Sequence, residues 1–422
     1  MPRETDPWSV FAALKFMAKT ITDEKLVDEL LSRGIEGIYP SRKEFKELLM
    51  SGKRIRLYCG FDPSASSLHI GNAIQINKLA QFQALGHEVI FLIGDFTGMI
   101  GDPTDKRAAR KKLTREEVLA NSGSYQKQAA AYLDFSGDNP AQVMYNSQWS
   151  DPLTFKDLIE ISSNFTVQQM IQRDMFQERL KDGKPIYLHE FLYPLAQGYD
   201  CVAMDVDLEI GGNDQMFNML CGRDLMKAMK GKEKYVMTLK LLADDKGQKM
   251  GKTEGNAVFL DQTPENVYGA VMSWPDGVIE VGFELCTRVS TEEVKKIGGE
   301  LKDGKTNPRD LKMKLAFEIT KIIHGEEKAG EAQEHFVKTV QNKEVPDEVE
   351  EKKLKKGNYN IVDLLFEAGL AKSKGEARRL LEQGGIKVEG RVVKSIGEEI
   401  EIGVQGTLLQ RGKRQFVKVV GT

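Results

Sequence analysis

The chain has little that would tie it to an oxidising compartment, a structural metal or a membrane. Its four cysteines, Cys59, Cys201, Cys221 and Cys286, lie far apart and form no Cys-x-x-Cys pair. That spacing excludes the framework of a disulfide-rich secreted domain and offers no zinc ribbon. No apolar run approaches the roughly 18 residues of a membrane span. The N-terminal "MPRETDPWSVFAALKFMAK" carries acids before its short apolar run, a lysine inside it and no small-residue cleavage site, so it does not read as a signal peptide. A reducing cytoplasm is the expected location, with no membrane partner. Nor is there a large excess of one charge, the net value being −3. The charges are unevenly spread, however. Residues 352–422 carry 15 Lys/Arg against 8 Asp/Glu, while the rest of the chain carries 45 against 55. A basic tail on an acidic body is what a protein shows when only one part of it meets a polyanion.

At 422 residues the chain is too long for one ordinary core, and two or three domains are expected. Residues 21–50 read as helical, with "SRKEFKELLM" opening on a serine cap. "KRIRLYCGF" reads as a strand, residues 70–85 as a helix ended by Gly86, and "HEVIFLIGDF" as a second strong strand with a continuous apolar run. Strand, helix, strand in that order is a right-handed βαβ unit, whose ligands bind at the carboxyl ends of the strands. Residues 100–200 look mainly helical; "VDLEIGGNDQ" and "KYVMTLKLL" read as later strands. "DLKMKLAFEITKIIHG" is the clearest amphipathic helix of the stretch that follows. The charged "QNKEVPDEVEEKKLKKGN" reads as a linker, followed by a helix pair and short strands. The expected organisation is α/β: a Rossmann-like parallel-sheet domain over 1–262, an α-helical domain over 263–342, a linker over 343–356 and a small α+β domain over 357–422.

Two loops carry the chemistry. "CGFDPSASSLHIGNA" leaves a strand and opens a helix with His69 and Asn72, where backbone N–H groups and the helix dipole favour an anion. Gly71 removes a side chain where a flat ligand could approach. Far downstream, "GQKMGKT" ends like a Walker A loop, but Gly247 and Gly251 enclose three residues where that motif needs four, and the segment follows a late strand. It presents Lys249 and Lys252 without being a P-loop. Between these, Tyr193, Gln197 and Asp200 at i, i+4 and i+7 put three polar groups on one helix face, with Pro194 expected at the start of that helix. Inward-facing polar groups cost stability unless something bonds them. An exposed basic loop and a polar surface face are the plainer explanations of the last two features taken singly.

Together, in this order, "HIGN" and "KMGKT" resemble the two signatures of class I aminoacyl-tRNA synthetases. "YCGFDPSASSLHIG", "GDPTDKRAAR", "YNSQW", "HEFLYPLAQGYD", "GGNDQ" and "KMGKT" resemble, in order, the bacterial tyrosyl-tRNA synthetase family from about residue 25 to the C-terminus. Three positions depart from the class signatures: Asn72 stands for the second histidine, and Gly251 and Thr253 for serines, a Gly-Lys-Thr ending being common in this family. The resemblance implies ligation of tyrosine to its tRNA through a tyrosyl-adenylate, with ATP as substrate and Mg²⁺ accompanying it. His69, Asn72, Lys249, Lys252, Thr253, Lys106 and Arg110 would serve the reacting phosphates. Tyr58 and Asp200 would bond the phenolic hydroxyl; Asp102, Tyr193 and Gln197 would hold the ammonium, with Gln215 nearby. Gly60, Asp62, Gly71, Gly212, Asp214, Met250 and Gly251 complete the expected nucleotide site, and no dedicated metal ligands are expected. Lys374, Arg378 and Arg379, on one helix of a module resembling the RNA-binding domain of ribosomal protein S-four, would meet tRNA. Family members are homodimers. A tryptophan-activating relative and a catalytically inactive RNA-binding protein remain as alternatives.

Overall fold

The computed structural model describes residues 20–103, 113–244, 257–304, 306–341, 349–412 and 415–422. The chain divides into two compact units, Met1–Glu326 and Glu327–Thr422.

The first unit is built on a six-stranded sheet of β1 (Ile35–Tyr39), β2 (Arg56–Phe61), β3 (Glu88–Ile93), β4 (Gln142–Tyr145), β5 (Leu208–Gly212) and β6 (Tyr235–Leu239). The strand order is β1-β6-β5-β2-β3-β4, with β2 to β6 parallel and β1 antiparallel on the edge beside β6. Chain order runs one way from β2 to β4 and the other way from β5 to β6, so the topological switch lies between β2 and β5, where open α/β sheets bind ligands. These two strands pair only at Leu57–Leu208 and Tyr58–Glu209. Beyond Tyr58 their carboxyl ends part and leave a crevice.

The helices follow from side-chain alternation. Tyr58, Ile90 and Leu92 point to one face and pack with Leu195, Cys201, Val202, Leu225 and Met226. The last five belong to α4 (Leu188–Met204) and α5 (Met216–Lys230). The other face meets α3 (Ile70–Ala84), where Cys59 Sγ donates to Gln75 Oε1 at 3.3 Å. The expected helix over 21–50 is instead α1 (Glu24–Ser32), β1 and α2 (Arg42–Met50). Ser41 does cap α2, accepting from the Glu44 N–H at 3.3 Å. A short, half-buried edge strand between two amphipathic helices leaves no apolar alternation to read. The same applies to β4, which lies in the stretch expected to be mainly helical. Pro194 is a further difference. The helix starts at Leu188, so the proline lies inside it and leaves one intrahelical bond unmade.

Helices α6 (Pro264–Met272), α7 (Ile279–Cys286), α8 (Thr291–Asp303) and α9 (Pro308–His324) belong to the first unit rather than standing apart. Buried Arg33 explains part of this. It donates to the carbonyls of Phe283, Glu284 and Thr287 at 2.9, 2.8 and 3.0 Å, satisfying terminal carbonyl acceptors at the end of α7.

The second unit holds β7 (Glu350–Leu354), β8 (Gly357–Asn360), β9 (Ile386–Val388), β10 (Arg391–Val393), β11 (Glu399–Ile402), β12 (Thr407–Arg411) and β13 (Gln415–Gly421). They form a five-stranded sheet ordered β10-β9-β12-β13-β7 and a β11–β8 pair. Against these pack α10 (Ile361–Glu367) and α11 (Lys374–Glu382), over a core including Leu364, Leu365, Leu381, Leu409 and Val419. Its strand β7 (Glu350–Leu354) runs parallel to β13 (Gln415–Gly421). The segment expected as linker over 343–356 therefore contributes an edge strand. Its sequence, EEKKL, is charged because an edge strand faces water, and that charge hides it from a hydrophobicity reading.

Candidate active site

His69 is the N-cap of α3. Its Nδ1 accepts the Gly71 N–H at 3.1 Å, which leaves the imidazole proton on Nε2. Asn72 Oδ1 accepts the His69 N–H at 3.0 Å, closing a capping box. Asn72 thus does structural work at the signature position, while its amide NH₂ stays a donor. Gly71 is required here: a Cβ would meet His69 Cε1 at 2.9 Å.

The segment after the lysine loop is tied to this turn. Ile70 N–H donates to Val258 O at 2.8 Å, Leu260 N–H to Leu68 O at 2.9 Å, and Ser67 Oγ bonds Asp261 Oδ2 at 2.5 Å. On the other side, Leu241, just past β6, comes within 3.2 Å of where a Gly212 Cβ would sit. The described residues before and after 245–256 thus lie beside Gly212 and beside the His69 turn, respectively. Lys249, Met250, Gly251, Lys252 and Thr253, like Lys106 and Arg110, lie outside the described residues.

Below the mouth is a polar network. Asp62, directly after β2, accepts from Thr97 Oγ1 at 2.6 Å and from Tyr193 Oη at 2.8 Å. Gly94 makes room for it, since a Cβ there would fall 1.9 Å from Asp62 Oδ1. Burial pushes the Asp62 carboxyl up to about 6, against the two hydrogen bonds that favour its charge. Gln215 Nε2 donates to Asp102 Oδ2 at 2.6 Å and its Oε1 accepts from Asn218 at 2.9 Å. Asp214 is exposed beside them, after Gly212, and Gly60 is exposed in β2.

At the far end Asp200, 2% exposed, accepts from Trp149 Nε1 at 2.8 Å and Asn146 Nδ2 at 3.3 Å. Burial drives its carboxyl well above the usual carboxylate range despite those donors. Tyr58, 1% exposed, has a hydroxyl near Glu209 and Asp200 that forms no hydrogen bond of normal geometry. Gln197 donates through Nε2 to Glu209 Oε1 at 3.1 Å, and its Oε1 is buried without a partner. Tyr58, Asp62, Tyr193, Gln197 and Asp200 thus converge, and Asp102 pairs with Gln215. Such a site can receive a ligand that brings a hydroxyl at one end and a cationic donor at the other.

Several neighbours escaped the sequence reading. "YNSQW" supplies Asn146 and Trp149, and its presence in the motif series was the available signal. Glu209 and Lys234 carried no motif signal. Arg173, stacked 4.9 Å from the Phe217 ring centre, has a buried Nη1 without a partner, and burial lowers its guanidinium pKa. In the second unit, Lys374 pairs with Asp363 at 2.8 Å, and Arg378 and Arg379 are exposed on α11.

A capped helix N-terminus beside a topological switch point is an arrangement with which open α/β enzymes bind nucleotides. Residues 50–341 match the model for class I tRNA synthetases (W and Y), and residues 341–419 match that for a tyrosine–tRNA ligase SYY-like C-terminal domain. A tyrosine–tRNA ligase of Thermotoga maritima is 42% identical over 402 residues, 95% of this chain and 98% of that one. The Haemophilus ducreyi tyrosine–tRNA ligase is 41% identical, covering 96% and 99%. In fold the chain resembles a C-terminally truncated mitochondrial tyrosyl-tRNA synthetase of Aspergillus nidulans (TM-score 0.63, 22% identity, 74% of this chain and 93% of that one). It also resembles the tyrosyl-tRNA synthetase of Archaeoglobus fulgidus, solved with L-tyrosine (TM-score 0.57, 19% identity, 73% and 99%). The chain belongs to the bacterial tyrosine–tRNA ligase family. The tryptophan-activating and inactive alternatives are not favoured.

Proposed function

We propose that the protein joins tyrosine to its tRNA in two steps. The tyrosine carboxylate attacks the α-phosphorus of ATP; the new O–P bond forms as the bond to pyrophosphate breaks. A ribose hydroxyl of the terminal adenosine of tRNA then attacks the adenylate carbonyl and releases AMP. The first nucleophile is already an anion, so the barrier lies in positioning and in charge gathering on the leaving pyrophosphate.

The observation that carries this reading is a pair of polar groups in one buried pocket that lack a hydrogen bond of normal geometry: the Tyr58 hydroxyl, near Glu209 and Asp200, and the Gln197 Oε1. A phenolic hydroxyl answers the first and a substrate ammonium the second, with Asp102 and Tyr193 sharing the ammonium. His69 and Asn72 stand in the first turn of a helix with their acceptor atoms occupied within the cap, and a helix N-terminus suits the triphosphate. Lys249 and Lys252, with Lys106, Arg110 and Thr253, complete the phosphate contacts; Gly60, Gly71, Gly212, Asp214, Met250 and Gly251 border the nucleotide. Among the described residues no group of three or more His, Cys, Asp or Glu could hold a metal. Mg²⁺ would arrive with ATP, held by phosphate oxygens and water and neutralising their charge. The basic stretch 352–422, with Lys374, Arg378 and Arg379, and the helices after residue 263 would contact tRNA. The protein would act in the cytoplasm as a homodimer.

The test is charging of tRNA(Tyr) with labelled tyrosine. Tyrosyl-tRNA and AMP should form in equal amounts, with no product from phenylalanine or tryptophan. Purified folded protein that charges tRNA with tryptophan, or not at all, would overturn the reading.

A further inference from the structure

Beneath the pocket lies a charged pair that the reaction does not use. Glu209 faces Tyr58 across the last paired position of β5 and β2 and is 2% exposed. One carboxylate oxygen accepts from Gln197; the other is ion-paired with Lys234, whose fully buried ammonium also donates to Met219 O at 3.1 Å. Space for that ammonium exists because α4 and α5 pack closely at Gly198 and Gly222. A Cβ on Gly222 would come within 2.8 Å of Lys234 Nζ and 3.0 Å of Cys201 Sγ. Burying two charges is costly, and apolar residues of similar volume often serve stability as well or better. The pair therefore calls for an explanation other than stability.

We propose that Glu209 and Lys234 are positioning residues that lock the Gln197 amide with its carbonyl toward the substrate ammonium, so that the pocket selects ligands bearing an α-amino group. This inference rests on the tyrosine reading above. A glutamine amide is almost symmetric in shape, and its two orientations offer a ligand opposite chemistry. An ionised carboxylate can only accept, so it captures the NH₂ and turns Oε1 the other way. Lys234 balances the carboxylate's charge. The buried Oε1 without a partner is the result. Reversed, the amide would aim its own donors at the ammonium and leave Glu209 against a carbonyl oxygen.

The experiment compares tyrosine with 3-(4-hydroxyphenyl)propanoate, which is tyrosine without its amine. The double variant Glu209→Gln/Lys234→Met removes both charges and strands neither. Its Kd for tyrosine should rise about 10- to 100-fold, the range for leaving one buried acceptor poorly paired. Its Kd for the amine-free analogue and its KM for ATP should keep their wild-type values. In a Gln197→Ala background the double change should add nothing further. Glu209→Asp, which keeps the ion pair but withdraws the carboxylate, should give an intermediate loss for tyrosine alone and serves if the double variant does not fold. Equal weakening of both ligands, or undiminished tyrosine binding, would overturn the proposal. Wild-type protein that binds no tyrosine would instead overturn the tyrosine reading itself.

Discussion

Tyr58→Phe is expected to move stability and activity in opposite directions. In the unliganded protein the Tyr58 hydroxyl is buried without a hydrogen bond of normal geometry. A buried polar group in that state costs about 1–3 kcal/mol, so deleting it should raise unfolding stability by roughly 1 kcal/mol. The ring itself, packed with Ile90, Leu92 and Leu195, is unchanged by the substitution. With tyrosine bound, the same hydroxyl would answer the substrate phenol. Its loss removes one neutral hydrogen bond, about 0.5–1.5 kcal/mol, or roughly 2- to 13-fold in kcat/KM for tyrosine. Phenylalanine leaves both Tyr58 and Asp200 unanswered in the wild type but only Asp200 in the variant. Its kcat/KM should therefore hold or rise, and discrimination should shrink by at least the tyrosine factor. Urea unfolding and pyrophosphate exchange with both amino acids measure the two halves. A destabilised variant, or equal losses with both amino acids, would refute the reasoning.

His87 provides a pH test. It is 1% exposed, and burial pushes its imidazole down from 6.5 to about 4. Between those values the unfolded chain takes up a proton that the folded one refuses, so stability falls as pH drops, by roughly 3 kcal/mol in all. His87→Gln should flatten that part of the stability–pH curve measured by urea unfolding; an unchanged slope would contradict the assignment. Lys249→Ala or Lys252→Ala should slow single-turnover adenylate formation by about 10- to 1,000-fold, the range for losing one partner of transition-state charge. An unaltered rate would remove them from the reaction. Deleting residues 342–422 should spare adenylate formation and impair tRNA charging. Because β7 pairs with β13, a cut at 357 would instead strand part of the C-terminal sheet, and its product should be less soluble than the cut at 342.

The strands β2, β3, β5 and β6 and helix α3 were legible because buried strands are continuous apolar runs and because a capping residue opens the helix. The edge elements were not. β1 and β7 are half-solvated, and their composition follows water rather than a core. At the site, spacing alone put Tyr193, Gln197 and Asp200 on one face. It could not reveal that Glu209 sits opposite Tyr58, because that pairing joins strands about 150 residues apart. Likewise nothing local announces Lys234. A buried lysine reads as a surface residue until the glycine crossing of α4 and α5 is known. The Asn72 departure became intelligible only through its backbone: an asparagine at the third helical position completes the cap while keeping a donor.

Tyrosine activation requires a hydroxyl-seeking, ammonium-seeking pocket lying beside a triphosphate site. Tyrosine-dependent exchange of labelled pyrophosphate into ATP, measured without tRNA, tests that most directly. Robust exchange is expected with tyrosine and background levels with phenylalanine and tryptophan. Exchange driven equally by phenylalanine, or absent from folded protein supplied with tyrosine, ATP and Mg²⁺, would contradict tyrosine activation.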